Sequence, residues 1–305
     1  MRSRKWITVL AACLAACSSE SPASDAGADG TDRFSFFVAS FRALQALSDN
    51  EAGFGGDLRY GESGTGAGLR GADKICSEVA ERSLPGSAGK GWRAFLSATA
   101  GEDGKQVDAI DRIGEGPWYD RLGRVFALTK ADLMHERPAG ADSVIAHDFP
   151  NEDGVPNQKP DPDQPSVDNH DILTGTNAQG KLYNAMATCK DWTSAVGDPA
   201  SEGRPHVGHS WDRMASDAVV KPPPDIMGDG GFVMRGESGG PKGPGMMMAG
   251  GPEGGGSGAN WMSALDEAGC APGVNLVQDG PPHADMPTVG SGGGYGAIYC
   301  FALTP

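Results

Sequence analysis

The chain predicts a mixed fold of the α+β type, and three observations predict it. Ala72, Ile75, Cys76 and Val79 recur at i, i+3, i+4 and i+7, the spacing that lays one apolar stripe along a helix. Short aromatic and β-branched runs at 33–40, 92–97, 124–128 and 298–303 read as buried strands. Four cysteines, Cys76, Cys189, Cys270 and Cys300, lie beyond the N-terminal segment, an even number that suits a disulfide-stapled body.

The first residues are read as an export signal. Arg2, Arg4 and Lys5 precede the apolar run from Trp6 to Ala16. That run is too short to span a bilayer, which takes about 20 residues, and right for a secretory signal. It ends in Leu14-Ala15-Ala16-Cys17, which resembles the lipobox of bacterial lipoproteins, where the cysteine is acylated and becomes the mature N-terminus. The expected organisation is a signal with lipobox over 1–17, a Ser/Ala/Gly/Asp tether over 18–32, and one domain over 33–305. Acyl chains on Cys17 would anchor that domain to a membrane of the cell envelope. Ser18 does not resemble the Asp retention signal of enteric bacteria, which favours the outer membrane over the inner.

The charge narrows the partners. With 25 basic and 40 acidic residues the formal charge is −15, and loss of residues 1–16, which hold three basic and no acidic side chains, takes it to −18. Binding nucleic acid requires clustered Lys and Arg to displace counterions, so that class is excluded.

Taken in order, 33–40 reads as a strand, 41–48 as a helical turn, 49–69 as loop, 71–82 as helix and 92–97 as a strand. Residues 110–119 form an irregular turn region, 124–128 a short strand, and Thr129 caps one helical turn through Leu133. Residues 148–171, with seven acids and five prolines, read as an acidic surface loop insert. Ile172–Gly175 and Cys189–Thr193 look like core strands around the turn Asn177–Gly180. From 228 to 258, 14 of 31 residues are glycine and Met246-Met247-Met248 sits within, so this is a second insert. Asn260–Leu265 and Ile298–Leu303 return to core character.

These residues suggest a family. A strand, then Gly71-Ala72-Asp73 before a helical Cys76, then Trp92-Arg93-Ala94-Phe95-Leu96-Ser97, resembles the endostatin domain of collagens. The likeness continues through Leu173-Thr174-Gly175-Thr176, Thr188-Cys189-Lys190-Asp191-Trp192-Thr193, Cys270 and Ile298-Tyr299-Cys300-Phe301. The order and the cysteines are also similar to C-type-lectin-like domains and to bacterial lipoproteins that carry that fold. The resemblance covers 34–40 and 70–305 and leaves both inserts unmatched. It implies a C-type-lectin-like/endostatin-like fold with paired terminal strands, nested disulfides Cys76–Cys300 and Cys189–Cys270, and long loops on one face.

Family chemistry transfers poorly. The domain is acidic where endostatin binds heparin through arginines, and 18–69 holds no histidine for an N-terminal zinc site. Val155-Pro156-Asn157 and Gln164-Pro165-Ser166 each lack the carboxylate of the calcium-lectin triplets, and no Trp-Asn-Asp is present. Formylglycine-generating enzymes, of related fold, need a free cysteine pair, whereas all four cysteines here are expected to be committed.

Three candidate sites remain. Asp148, Asn151, Glu152, Asp153, Asp168 and Asp171 offer the oxygens a Ca²⁺ ion takes, although their spacing is not that of an EF-hand; a solvated acidic loop is the alternative. His206-x-x-His209, with His147 or His170, could supply zinc ligands, against a default of exposed loop histidines. Trp92, Trp118, Trp192, Trp211 and Trp261 read as core fillers, with Tyr119 and Trp211 the candidates for a ligand-stacking platform. The Gly290-Ser291-Gly292-Gly293-Gly294 run lacks the context of a nucleophile elbow or phosphate cradle. No catalytic residue is assigned. The expected function is a lipid-anchored envelope protein whose binding module takes a protein or a neutral glycan. A metal-dependent envelope enzyme and a purely structural lipoprotein are the alternatives.

Overall fold

A computed structural model describes residues 33–158, 169–212, 260–277 and 282–304. The signal and lipobox with Cys17, the tether, the insert at 228–258 and Asp168 lie outside the described residues. Helices and strands are mixed in the α+β manner, and two disulfides cross-link them. None of the described helices is long and apolar enough to cross a membrane.

The chain enters through β1 (Phe36–Val38) and turns into α1 (Phe41–Ser48). Ser40 starts α1 as an N-cap, its hydroxyl accepting from the Ala43 N–H at 3.2 Å. The anticipated single turn is thus a full two-turn helix. The apolar stripe read over 71–82 belongs to α2 (Ala67–Ser83), which starts four residues earlier. Its first five residues contain two glycines, Gly68 and Gly71, that a propensity argument disfavours. Packing requires them: a Cβ on Gly71 would lie 2.1 Å from the Leu58 carbonyl oxygen, and one on Gly68 would lie 2.1 Å from that of Asp191.

Next come β2 (Trp92–Ala94), α3 (Ala109–Arg112), the ribbon β3 (Trp118–Tyr119) with β4 (Val125–Ala127), and α4 (Lys130–Leu133). Thr129 and Asp132 close a capping box on α4, which ends at Leu133. After β5 (Asp171–Leu173) the expected turn forms, the Gly180 N–H bonding to the Asn177 oxygen at 2.9 Å.

The run from Cys189 is not a strand. It forms α5 (Cys189–Trp192), a single left-handed turn whose residues have φ from 47° to 63°. Cys, Trp and Thr favour strands, but here bonds outweigh propensity. The Thr188 hydroxyl accepts from the Asp191 N–H, and the Asp191 carboxylate accepts from the Thr99 N–H and hydroxyl, both at 2.6 Å. The short α6 (Pro199–Glu202), β6 (His206–His209), β7 (Leu265–Asp266) and β8 (Gly294–Ala302) complete the chain.

The nine-residue β8 organises the sheet. It pairs antiparallel with β1 (Phe37 opposite Cys300) and β2 (Ala94 opposite Cys300), and parallel with β5, beyond which lie β6 and β7. Both faces of β8 are buried, which explains its lack of polar/apolar alternation. Phe36, Phe126, Phe149, Trp261, Tyr299 and Phe301 pack as one aromatic cluster on it. Cys76 of α2 bonds Cys300 of β8, and Cys189 bonds Cys270, the pairing the resemblance implies.

The acidic stretch is not simply surface. Phe149, Glu152, Asn157, Asn169, His170 and Asp171 are buried, and Asp171 opens a core strand. The physical reason is that these polar groups bond to one another and to the ends of α1, α2 and β6.

Candidate functional site

A cleft of about 840 Å³ opens between α1, the C-terminal end of α2 and the 151–157 loop. That volume falls within the range of small-ligand sites. Phe41 and Ala46 of α1, Val79 of α2 and Leu276 form its apolar walls, and Asn157, Asn169 and Tyr295 form its floor.

Each side is fixed by named bonds. The Glu152 carboxylate accepts the Ser40 N–H at 2.9 Å and its hydroxyl at 2.5 Å, which ties the loop to the start of α1. The Ser83 hydroxyl, at the end of α2, donates to the Glu152 carbonyl. Burial raises the Glu152 pKa above the ordinary glutamate value, despite these bonds. On the floor two amides interlock: Asn157 Nδ2 donates to the Asn169 carbonyl at 2.9 Å, and Asn169 Nδ2 donates to that of Asn157 at 2.7 Å. The Tyr295 hydroxyl donates to the Ala39 carbonyl, and burial raises its pKa. The Phe41 ring leans on Tyr295 with centroids 5.3 Å apart and stays half-buried, so one aromatic face borders the cleft.

Directly behind the floor the chain runs from Asn169 into a buried polar cluster. Asp171 and His209 are paired across β5 and β6, with Asp171 Oδ1 3.0 Å from His209 Nε2. Residues directly opposite in a ladder share a face of the sheet, so the register itself makes the contact. His170 precedes β5, where strand alternation does not hold it, and its Nε2 lies 3.6 Å from the same oxygen. His170 packs at a tilt against Trp211 with ring centroids 4.6 Å apart, and the Trp211 indole donates to Asn169 Oδ1 at 2.7 Å, which links the cluster to the cleft floor.

Glu267 and Ser291 complete the surroundings. Glu267 Oε2 accepts from the Ser291 hydroxyl at 2.5 Å and the Gly292 N–H at 2.7 Å. Gly292 must be small, since a Cβ there would lie 2.8 Å from Asp171 Oδ2. Burial and the Asp171 charge push the Glu267 pKa well up. Burial also works to raise Asp171, but the His170 and His209 imidazoles outweigh it and hold its pKa below the ordinary value. The Arg137 guanidinium, lowered to about 10 by burial, donates to the carbonyls of His209 and Ser210 and sits 3.8 Å from the centre of the Phe149 ring.

Several expectations need correction. The six proposed Ca²⁺ ligands do not converge among the described residues. Glu152 is committed to Ser40. Asn151 Oδ1 accepts from the Asp153 and Val155 N–H groups, Asp148 Oδ1 accepts from the Gln158 N–H, and Asp171 faces the histidines. Trp211 is fully buried and offers no face to a ligand; Tyr119 instead lies under the Arg33 guanidinium. The aromatic that borders the cleft is instead Phe41, half-buried at the start of α1. The His206-x-x-His209 pair is divided, because residues three apart in a strand point to opposite faces. His206 bonds Asp266 and Ser263 and stacks on Tyr183, His147 bonds Asp212, and only His170 and His209 come together. His170, His206 and His209 are buried, not exposed loop residues.

Glu267 and Ser291 were not anticipated. The hint was the Gly290–Gly294 run, in which Gly292 sits where backbone must approach the Asp171 and Glu267 carboxylates. No protein-family model matches the chain, and no curated protein is found to be related to it by sequence.

Proposed function

We propose that the protein is an exported, lipid-anchored component of the cell envelope. Its domain, of the C-type-lectin-like kind, recognises a neutral glycan or a short protein segment in the cleft between α1, α2 and the 151–157 loop. The observation that carries this reading is the cleft itself: an apolar-walled concavity of about 840 Å³ with one aromatic face and a floor of interlocked amides. Phe41 offers a stacking surface of the kind sugar rings and apolar side chains use. The floor amides already satisfy one another, so ordering them costs the ligand little.

Two features support the fold reading. The disulfides nest, and the first strand pairs with the last. A stapled scaffold with long loops is a sound base for recognition. The lipobox at Leu14–Cys17 supports the anchor. The strong net negative charge disfavours sulfated or phosphorylated ligands.

A metal-dependent enzyme is the second reading, favoured by the His170–Asp171–His209 cluster. Catalytic metals keep a coordination position open to substrate, and all three of these side chains are buried. Recognition is therefore the better-supported function. The test is to array the full-length protein, purified in detergent micelles, on glycans and envelope proteins. Binding to neutral glycans or to a discrete protein set, with none to sulfated glycans, is expected. Absence of any binding, or binding confined to sulfated glycans, would contradict the proposal.

A further inference from the structure

We propose that His170, Asp171 and His209 bind a single zinc ion that acts as a structural staple between β5 and β6, behind the cleft floor. This stands apart from the recognition reading: either can fail without the other.

Geometry is the first ground. His170, Asp171 and His209 each bring one ligand atom into a group whose members all lie within 4.8 Å of one another. Zinc bonds of about 2.0–2.1 Å at tetrahedral angles place neighbouring ligand atoms roughly 3.3 Å apart. Asp171 Oδ1 is 3.0 Å from His209 Nε2 and 3.6 Å from His170 Nε2, on either side of that figure. A small concerted shift of the imidazoles accommodates the ion.

The state of Asp171 is the second ground. It has no exposed surface, and the groups at Oδ1 are the His170 and His209 imidazoles, whose Nε2 atoms lie 3.6 and 3.0 Å away. A carboxylate stripped of water is costly unless its charge is compensated, and a cation at ligand distance supplies that compensation. Charge gives a third ground. The Asp171 carboxylate and two neutral imidazoles offer a divalent ion an anionic ligand set in a region closed to solvent.

Surrounding groups hold the ligands in place. Ser291 and the Gly292 N–H fix Glu267 beside Asp171, Trp211 backs the His170 ring, and Arg137 grips the carbonyl of His209. Outer partners of this kind orient ligands and sharpen affinity. The donor type selects the ion. Imidazole with carboxylate suits zinc and its first-row neighbours, while Ca²⁺ takes six to eight oxygens. Burial makes the site structural, since no face is left for a substrate.

The experiment uses the full-length protein in micelles. Metal analysis of the wild type, purified without chelator, should find about one zinc per chain. Cobalt(II) replacing it should give the intense visible bands of a tetrahedral imidazole/carboxylate site, without thiolate charge transfer because all four domain cysteines are bridged. Asp171→Asn and His209→Gln should lose both the zinc and the cobalt spectrum. Should either variant fail to fold, stripping the wild type with chelator should lower Tm, and zinc, not Ca²⁺, should restore it. A wild type that holds no zinc and gives no cobalt spectrum overturns the site, as does a spectrum unchanged in folded His209→Gln.

Discussion

Glu152 grips Ser40 with both carboxylate oxygens, Oε2 on the backbone N–H and Oε1 on the hydroxyl, although the two residues are 112 positions apart. The contact clamps the 151–157 loop to the first turn of α1 and sets one wall of the cleft. The Ser40 hydroxyl at the same time caps α1, so helix start and loop position depend on one small cluster.

Glu152 carries a pH signature. Burial raises its pKa, so the folded state holds the proton more tightly than the unfolded chain. Its stabilising contribution is complete below the ordinary glutamate value and is lost as pH rises through the folded value. Glutamine can accept the Ser40 N–H and donate to its hydroxyl without ionising. The Tm of the wild type relative to Glu152→Gln should therefore fall as pH rises from about 4 to 8. Glu152→Ala strands the Ser40 donors and should cost about 1–3 kcal/mol in denaturant unfolding.

The two disulfides should differ in weight. Cys76–Cys300 closes 224 residues and Cys189–Cys270 closes 81. On the chain-entropy account, replacing the first pair by alanines should cost about 0.9 kcal/mol more than replacing the second, each loss lying in the range of roughly 2–5 kcal/mol. Urea unfolding of the two double variants measures the difference. Four alkylatable thiols in the exported protein would show that neither bond forms.

Gly71 tests whether packing or propensity governs α2. Alanine in place of glycine gains about 1 kcal/mol of helix propensity. Its Cβ, however, would collide with the carbonyl oxygens of Leu58 and Arg59 at 2.1 and 2.2 Å. Gly71→Ala should thus be destabilising overall, by about 1–3 kcal/mol. Gly89→Ala, which meets nothing within 4 Å, should stay within about 0.5 kcal/mol of the wild type.

Anchoring has its own test. Expressed in a bacterium with a lipoprotein pathway, the wild type should partition into the detergent phase and carry an acylated N-terminal cysteine by mass spectrometry. Cys17→Ser should remain uncleaved and unacylated. Cleavage of the wild type without acylation would refute the lipobox reading.

These contacts also show how far the residues alone could lead. The body of α2, the core strands at both ends and the Thr129 cap were legible because each rests on local periodicity or capping chemistry. The beginning of α2 was not, since Ala67–Leu69 with Gly68 read as loop until the carbonyl packed against Gly68 is seen. The left-handed turn at Cys189 was read as a strand because its anchor, Thr99, lies far away in sequence. His170 and His209 were both named as possible zinc ligands, but together with His206, and their meeting with Asp171 was not foreseen. A β5–β6 register decides that, and no spacing within one segment encodes it. The acidic stretch misled for the opposite reason: its composition is that of a surface, while Glu152, Asn157, Asn169, His170 and Asp171 among its described residues find partners inside.

The central claim is that ligand binds in the cleft beside α1. Ala46 is exposed and lines that cleft, so Ala46→Trp fills it without entering the core. The decisive measurement is a calorimetric titration of the ligand selected on the arrays against wild type and Ala46→Trp. Binding in the cleft requires an unchanged Tm and an affinity reduced more than about tenfold, a loss of over roughly 1.4 kcal/mol. Equal affinity in the folded variant would place recognition elsewhere on the molecule and contradict the account.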